Sequence, residues 1–479
     1  MLRLPTLAQL RSRLAGAGGA VLGTAATSLL VRGISILASL MTVPVVLHHL
    51  GQQRYGVWMA AIALSTFFTM ADGGVTKGLI AEVSKAYGAR NRAGIRALIG
   101  SALATTSAIV LVFAVGLLVL VPLIDWTWVF HLPNVALGDE ALGTVLTISL
   151  SYLFSFIPTV IRETRVGMLQ GAAVNLWDAA GLVLGFLGVV AAARADFGLV
   201  AIAGIWAGAP ALMRTVSAIT FFGGQGRDLV PRWRDVDPAT CRLLVAAGGA
   251  FMLYALTSVL AVQSDQVLIA RFLGPEAVTQ YTVVQRLFNQ IQVLVTLGLI
   301  AQWPAYGAAL GRGDHAWIRR HFRWSLLGYG AFAALVSGAL YLFCAPILGL
   351  WVGDAVVAPV SLVRALTVYA MVATIANAFA FFYMSLGLNR RLVVAQGLLI
   401  ALTLPLYLLL IPRLGGTGAV IAATIGQVVG VVVPGLLTMK SLFSGLGPRR
   451  QEAKREVVGS AGYVEREAQT SQFSKGSVA

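Results

Sequence analysis

Long apolar runs alternate with short polar breaks along this chain from Ala20 to Leu442. A helix needs about 20 mostly apolar residues to cross a bilayer, and most of the runs reach that length. They predict twelve transmembrane helices, placed at 20–47, 55–75, 97–122, 141–161, 174–193, 199–222, 244–270, 280–303, 325–350, 358–386, 392–411 and 419–442.

The composition agrees with this pattern. Of the 479 residues, 58% are hydrophobic and 11% are charged, against roughly 45–50% and about 25% in soluble domains. Cys241 and Cys344 are far apart, and the five histidines have no spacing typical of a metal site. We therefore expect an all-α polytopic membrane protein with no metal site and no cofactor, leaving open a coupling ion, H⁺ or Na⁺.

The distribution of basic residues predicts the orientation. If the N-terminus is cytoplasmic, 27 of the 35 Lys and Arg residues lie in cytoplasmic segments, four in external loops and four within spans. Such an excess is typical of the cytoplasmic side, so the net charge of +16 indicates topology and no nucleic-acid partner. We expect a multi-pass inner-membrane protein with both termini in the cytoplasm.

A short repeat suggests two related halves. Leu50-Gly51 near the end of span one, followed by Tyr55, resembles Leu273-Gly274 near the end of span seven, followed by Tyr281. Six spans separate the copies, so the halves would share one orientation and enclose a central cavity. The predicted division is a cytoplasmic arm at 1–19, an N-lobe at 20–222, a cytoplasmic linker at 223–243, a C-lobe at 244–442 and a disordered cytoplasmic tail at 443–479. An amphipathic interfacial segment is expected between spans two and three.

Four arginines fall inside spans and are the main candidates for substrate contact: Arg32, Arg214, Arg286 and Arg364. Each costs about 2.5–3.5 kcal/mol near mid-membrane on insertion scales, so a function is expected to retain it. Arg32 lies midway along its span, whereas the other three lie close enough to a span end to snorkel to the interface. A shared cationic cavity would suit an anionic cargo such as a phosphate or diphosphate group.

Polar residues at helical spacing accompany these arginines. They predict polar cavity walls, formed by Ser28, Ser35 and Ser39 in span one and by Gln285, Asn289 and Gln292 in span eight. The alternative is that such hydroxyls only pack between helices and bond to their own backbone.

Three acidic residues are candidates for ion coupling or for structural ion pairs: Asp265, Asp178 and Asp72. Asp265 and Arg286 flank the second Leu-Gly break, so an ion pair locking two helices is an alternative to a transport role. Asp72 precedes Gly73-Gly74 and could instead cap the following helix.

The N-terminal motifs resemble those of a known family. Val31-Arg32-Gly33, then Leu50-Gly51-Gln52-Gln53-Arg54-Tyr55-Gly56-Val57-Trp58, then Ala71-Asp72-Gly73-Gly74 look like the opening of polysaccharide transporters of the O-antigen flippase type. These belong to the superfamily of multidrug, oligosaccharidyl-lipid and polysaccharide (MOP) exporters. The family usually has Asp-Leu-Gly or Asp-Phe-Gly where this chain has Asp-Gly-Gly.

The resemblance implies two six-helix lobes around a cationic cavity, and transport without enzymatic chemistry. It also implies that an oligosaccharide linked to undecaprenyl diphosphate is flipped from the cytoplasmic to the periplasmic leaflet. Arg32 matches a position where such proteins often have a basic residue. Membrane lipids, a glycan polymerase and chain-length machinery are further candidate partners.

Two other functions stay open. A cation-coupled multidrug exporter of the same superfamily would be expected to place carboxylates deep in its cavity, but most deep charges here are positive. A membrane glycan polymerase or ligase would be expected to need a sizeable external loop with acid and base residues. The longest external loop, about 123–140, offers only Asp125, Asp139 and Glu140.

Overall fold

A computed structural model describes residues 7–70, 74–385, 389–437 and 439, and the regular structure in these ranges is helical. The first half contains α1 (Leu7–Ser65), α2 (Val75–Gly88), α3 (Arg92–Leu120), the short α4 (Trp126–Val129), α5 (Val135–Gly167), α6 (Gly171–Arg194) and α7 (Leu199–Gly223). The second half contains α8 (Pro238–Leu273), α9 (Pro275–Gly311), α10 (His315–Val352), α11 (Val360–Ser385), α12 (Asn389–Leu414) and α13 (Gly416–Gln427). A π-helical turn at Val428–Val432 extends α13.

Helix α1 comprises two consecutive spans. At 59 residues a straight helix would be about 88 Å long, nearly three times the thickness of the hydrocarbon core. Its helical geometry is interrupted at Gly51, with φ 75° and ψ 173°. Gly274, between α8 and α9, has almost the same conformation, with φ 82° and ψ 174°. The two copies of the predicted repeat therefore break the chain in the same way.

Ten helical stretches in the described part of the chain are long and apolar enough to cross a membrane. One of them, Thr27–Phe68, contains the Gly51 break and so supplies two spans. Helix α8, with 36 residues, is not among these ten; it contains the span predicted at 244–270, and counting it gives twelve. The predicted count of about twelve spans agrees with this arrangement.

Several predicted boundaries shift because polar residues continue or cap a helix. Span four was expected to end at residue 161, but α5 continues to Gly167 and includes Arg162. Helix α1 begins at Leu7, within the predicted N-terminal arm. The side chains of Asp237 and Asp314 accept backbone N–H bonds at the starts of α8 and α10, as N-caps do.

The expected amphipathic segment is present as α2. Val75, Leu79 and Val83 on one face are buried against residues of α3 and α5, whereas Lys85 and Tyr87 are exposed. Asp72 and the tail beyond residue 442 lie outside the described residues, so the predictions made for them are not addressed. The domain limits predicted from the sequence also stay predictions.

The two halves, α1–α7 (N-lobe) and α8–α13 (C-lobe), meet where the two glycine breaks lie. The Thr279 hydroxyl donates to the Gln52 carbonyl oxygen at 2.6 Å, and the Gln52 side-chain amide donates to the Ala355 carbonyl oxygen. Nearby, the Trp351 indole N–H donates to the Leu40 carbonyl oxygen at 2.8 Å, and the Arg271 guanidinium stacks 4.1 Å from the Trp128 ring centroid. On the predicted topology this is the external end, so the described contacts hold that end closed.

Candidate functional site: a cationic cavity in the N-lobe

A cavity of about 360 Å³ lies among α1, α5, α6 and α7 and reaches Arg286 of α9. Its polar wall comes from one face of α1, where Ser35, Ser39 and Thr42 recur at helical spacing. Tyr152, Ser155, Trp58 and Trp206 form much of the remaining wall. Trp58 and Trp206 meet edge to face, with ring centroids 5.7 Å apart.

Two charged side chains line this cavity, Arg214 and Arg286, and its described lining includes no carboxylate. Arg286 donates to the Ser39 carbonyl oxygen at 3.2 Å and contacts the Met59 sulfur at 3.6 Å. No carboxylate of the described residues lies within ion-pair distance of Arg286. A half-buried guanidinium with only weak neutral acceptors retains donors for an anion.

Arg214, by contrast, has an acidic partner. Its Nε donates to one oxygen of Asp178 at 3.1 Å, while Nε and Nη2 of Arg162 donate to the other oxygen at 2.9 and 2.8 Å. Arg162 also pairs with Glu163. The group carries two positive and two negative charges and joins α5, α6 and α7, so it brings no net charge into the membrane.

The sequence did not predict the Arg162–Asp178 pair, because Arg162 was assigned to a loop. A signal was present: Arg162 and Asp178 are the charged groups that lie deepest at the same end of two consecutive spans. Trp58, Trp206 and Tyr152 were also missed as lining residues, since nothing in an apolar run distinguishes a cavity-facing aromatic residue from a packed one.

Arg32 and Ser28, the other site residues predicted in span one, lie outside the cavity lining. Arg32 is exposed on α1, three residues before Ser35. The Ser28 hydroxyl accepts from the Asn175 amide at 2.8 Å, so it joins α1 to α6.

Arg364 lies apart from the cavity. It is exposed on α11 and donates to the Tyr341 hydroxyl at 3.2 Å. Of the four predicted arginines, the structure thus brings Arg214 and Arg286 together.

A smaller cavity of about 70 Å³ lies in the C-lobe around Asp265. The buried carboxylate accepts from the Tyr281 hydroxyl, the Gln285 amide and the Gln266 backbone N–H. Gln285 and Asn289 line this space, as do Tyr369 and Tyr407. The alternative pair between Asp265 and Arg286 is not formed, because Asp265 faces into the C-lobe while Arg286 faces the N-lobe cavity.

Gln292, the last predicted polar residue of α9, serves a different contact. Its amide donates to the Ala370 carbonyl oxygen and the Thr374 hydroxyl at 3.0 and 3.1 Å, and its oxygen accepts from Asn377 at 2.9 Å. These bonds join α9 to α11.

The N-terminal motifs and the cavity lie within a segment that matches a known family. A sequence model described as "Polysaccharide biosynthesis protein" matches residues 21–306. The chain belongs to this polysaccharide biosynthesis protein family. The match includes α1 from residue 21 onward, all of α5, α6 and α7, and Arg286, and therefore all the described lining of the N-lobe cavity.

A relative and several solved structures extend the comparison. A Salmonella typhi protein named "Putative O-antigen transporter" is 24% identical over 332 residues, which cover 66% of this chain and 70% of the relative. An inward-facing multidrug resistance MATE family transporter of the MOP superfamily superposes with a TM-score of 0.67 at 16% identity, covering 88% of this chain and 98% of its own. The lipid II flippase MurJ, in an inward closed conformation, gives a TM-score of 0.62 at 13% identity, covering 87% of each chain.

At these identities the solved structures establish the fold. They confirm the predicted all-α architecture of two lobes and, with the family match, the predicted membership of the polysaccharide transporters of the MOP superfamily. The chain is a multi-pass membrane protein of this family.

Proposed function

We propose that this protein is a flippase for lipid-linked oligosaccharides. It moves a glycan carried on undecaprenyl diphosphate from the cytoplasmic to the periplasmic leaflet of the bacterial inner membrane by alternating access, for surface polysaccharide biosynthesis. The observation that supports this most is the N-lobe cavity, whose charged lining consists of Arg214 and Arg286. Asp178 already pairs with Arg214, so Arg286 carries the charge in this lining that no described carboxylate compensates. A guanidinium in that state suits a phosphate or diphosphate better than a cationic cargo.

The size of the cavity fits the charged part of such a substrate. Drug-sized ligands occupy pockets of about 300–1,000 Å³, so 360 Å³ accommodates a diphosphate with the adjoining sugar and not a whole oligosaccharide. The serine and tyrosine hydroxyls and the Trp58–Trp206 wall supply hydrogen bonds and apolar faces suited to a sugar ring. The remaining glycan requires the lobes to separate further.

Asp265 is our candidate for coupling to H⁺ or Na⁺. It is the one carboxylate in the described lining of the C-lobe cavity, and that cavity is large enough for an ion or a few waters. We assign no coupling role to Asp178, because two arginines already neutralise it.

The competing functions have weaker support. A multidrug exporter for cationic drugs would meet repulsion from Arg286, which has no carboxylate of the described part of the chain within ion-pair distance. A polymerase or ligase is disfavoured because Glu140 pairs with Arg54 at 2.7 Å and Asp125 caps α4, so two of the three acidic loop residues already have structural partners.

Replacement of Arg286 tests the proposal. We expect Arg286→Gln to reduce glycan export at least about tenfold and to make the lipid-linked intermediate accumulate in the cytoplasmic leaflet, since one charge-assisted contact is worth about 1.5–3 kcal/mol. Arg364→Gln, which removes an exposed arginine outside both cavities, is the matched control. Normal export by Arg286→Gln at normal protein levels would refute the assignment.

Arg32 receives a separate test, because it lies outside the described lining of the cavity. We still propose that it contacts the diphosphate on entry, since it is exposed one turn from Ser35. Arg32→Glu is expected to abolish export, and unchanged export would remove Arg32 from the proposed path.

A further inference from the structure

Helix α10 has a stripe of arginine and tryptophan side chains that lines neither the N-lobe cavity nor the C-lobe cavity. Ala316, Arg319, Arg320, Arg323, Trp324 and Leu327 line one shallow cleft along its N-terminal half. Arg320, Arg323, Trp324 and Leu327 are all exposed. Arg320 and Arg323 have no ion pair or hydrogen bond to any side chain or backbone group among the described residues.

The same face continues into the part of α10 that spans the membrane. At about 100° per residue, Arg320, Arg323, Trp324, Leu327, Leu335 and Leu342 fall within a sector of about 120°. The last three are 64%, 75% and 71% exposed, although they are large apolar side chains in a membrane-spanning helix. This face is therefore in contact with lipid.

The length of α10 places the arginines at headgroup level. Its 38 residues extend about 57 Å, against about 30 Å of hydrocarbon. The first turns must therefore emerge from the hydrocarbon, and the predicted orientation places them on the cytoplasmic side. From that end inward the exposed face presents guanidiniums, then an indole that is 69% exposed, then leucines. This order matches the phosphate, interfacial and acyl layers of one leaflet.

We propose that the Arg320–Arg323–Trp324 face of α10 is a binding site for an anionic phospholipid of the cytoplasmic leaflet. The two guanidiniums hold the headgroup phosphate by charge-assisted hydrogen bonds, which their lack of protein partners leaves available. Trp324 packs at the glycerol level and Leu327 beneath it contacts an acyl chain. The occupant is a bilayer lipid, distinct from the transported glycan lipid, because the face lies outside both cavities.

Native mass spectrometry of the full-length protein with added lipids tests this site. Phosphatidylglycerol and phosphatidylcholine with identical acyl chains serve as the anionic and zwitterionic probes. We expect the wild-type protein to prefer phosphatidylglycerol, and Arg320→Gln/Arg323→Gln to weaken its binding about tenfold or more. Phosphatidylcholine binding should change little.

Two further variants distinguish specific lipid binding at α10 from non-specific attraction of anionic lipids by cytoplasmic arginines. Arg232→Gln/Arg234→Gln removes two exposed arginines from the inter-lobe linker and should retain phosphatidylglycerol binding. Arg320→Lys/Arg323→Lys keeps both charges and should restore most of the affinity. Equal losses in the α10 and linker glutamine variants, or a wild-type protein with no preference for phosphatidylglycerol, would overturn the proposal. Thermal unfolding and a reporter of membrane orientation establish that each variant is folded and inserted normally.

Discussion

Arginine residues in the membrane-spanning part of this protein differ chiefly in their partners. Arg162 and Arg214 share Asp178, so their charges are compensated and they join three helices. Among the described residues, Arg286 has as side-chain partners the Ser39 carbonyl oxygen and the Met59 sulfur. The same residue type is thus compensated by a carboxylate at one position and has no acidic partner among the described residues at another.

Removal of Asp178 tests the structural role of the paired arginines. Its side chain is 15% exposed and those of its partners are less than a third exposed, and leaving buried charges unpaired costs about 3–5 kcal/mol. We expect Asp178→Ala to lower the free energy of unfolding by about 3 kcal/mol, measured by chemical denaturation in detergent.

The control for this change is Asp139→Ala. Asp139 is exposed before the first membrane-embedded turns of α5, and its removal should alter stability by less than about 0.5 kcal/mol. Equal stability of the two variants would show that the ion-pair group does not hold α5, α6 and α7 together.

At the scale of the helices, two glycines define the breaks between consecutive spans. Gly51 and Gly274 combine a positive φ with an extended ψ, a backbone region that side chains with a Cβ rarely adopt. Each lies at the turn of a helical hairpin, one formed by the two halves of α1 and the other by α8 and α9, and these two hairpins contact each other across the lobes. The Leu-Gly repeat in the sequence is therefore a requirement of backbone conformation at two equivalent positions.

Gly274→Ala is expected to destabilise the protein. The strain of an L-residue at this φ and ψ is about 1–3 kcal/mol, and we expect the midpoint of thermal unfolding in detergent to fall accordingly. Gly349→Ala in α10 is the matched control, because its added methyl meets no neighbouring atom and φ there is ordinary. A Gly274→Ala protein as stable as Gly349→Ala would contradict the argument.

For the whole molecule, the lobes are held together at the end with the glycine breaks. Gly56 lies so close to Pro275 that a Cβ at position 56 would overlap the Pro275 backbone. This contact exists only while the two hairpins are together. On the proposed alternating-access cycle, this contact forms and separates once in each turnover.

Gly56→Ala should therefore favour the state in which this end is open. We expect the distance between spin labels at positions 53 and 276 to lengthen, measured by pulsed electron spin resonance after replacement of the two native cysteines. Gly116→Ala, whose added methyl meets no neighbour, provides the comparison. An unchanged distance distribution in Gly56→Ala would show that the hairpin contact adjusts without opening the lobes.

Much of the architecture could be predicted from the sequence because bilayer thickness imposes a length on every apolar run. The twelve-span pattern, the amphipathic α2 and the two Leu-Gly breaks are all local features. Boundaries such as the end of α5 were less accurate, since Arg162 looks like a loop residue until Asp178 of the next helix is placed beside it.

The candidate site was predicted only in part. Helical spacing placed Ser35 and Ser39 on one face, and both line the N-lobe cavity, whereas Ser28 of the same predicted face does not. It could not show that Arg286 of α9 lies beside Ser39, or that Asp265 faces a separate cavity. Those facts depend on how helices from distant parts of the chain rotate and pack.

The sequence by itself determined that the protein lies in a lipid bilayer, how many spans it has and which orientation is expected. It also determined which charged and polar residues are retained in the hydrocarbon at a cost in free energy. The tertiary structure decided which of those polar groups compensate one another, as Arg214 and Asp178 do, and which remain available, as Arg286 does. The physical reason is range: insertion into a membrane is governed by each segment's own length and polarity, whereas the net charge of a cavity is set by side chains from helices far apart in sequence.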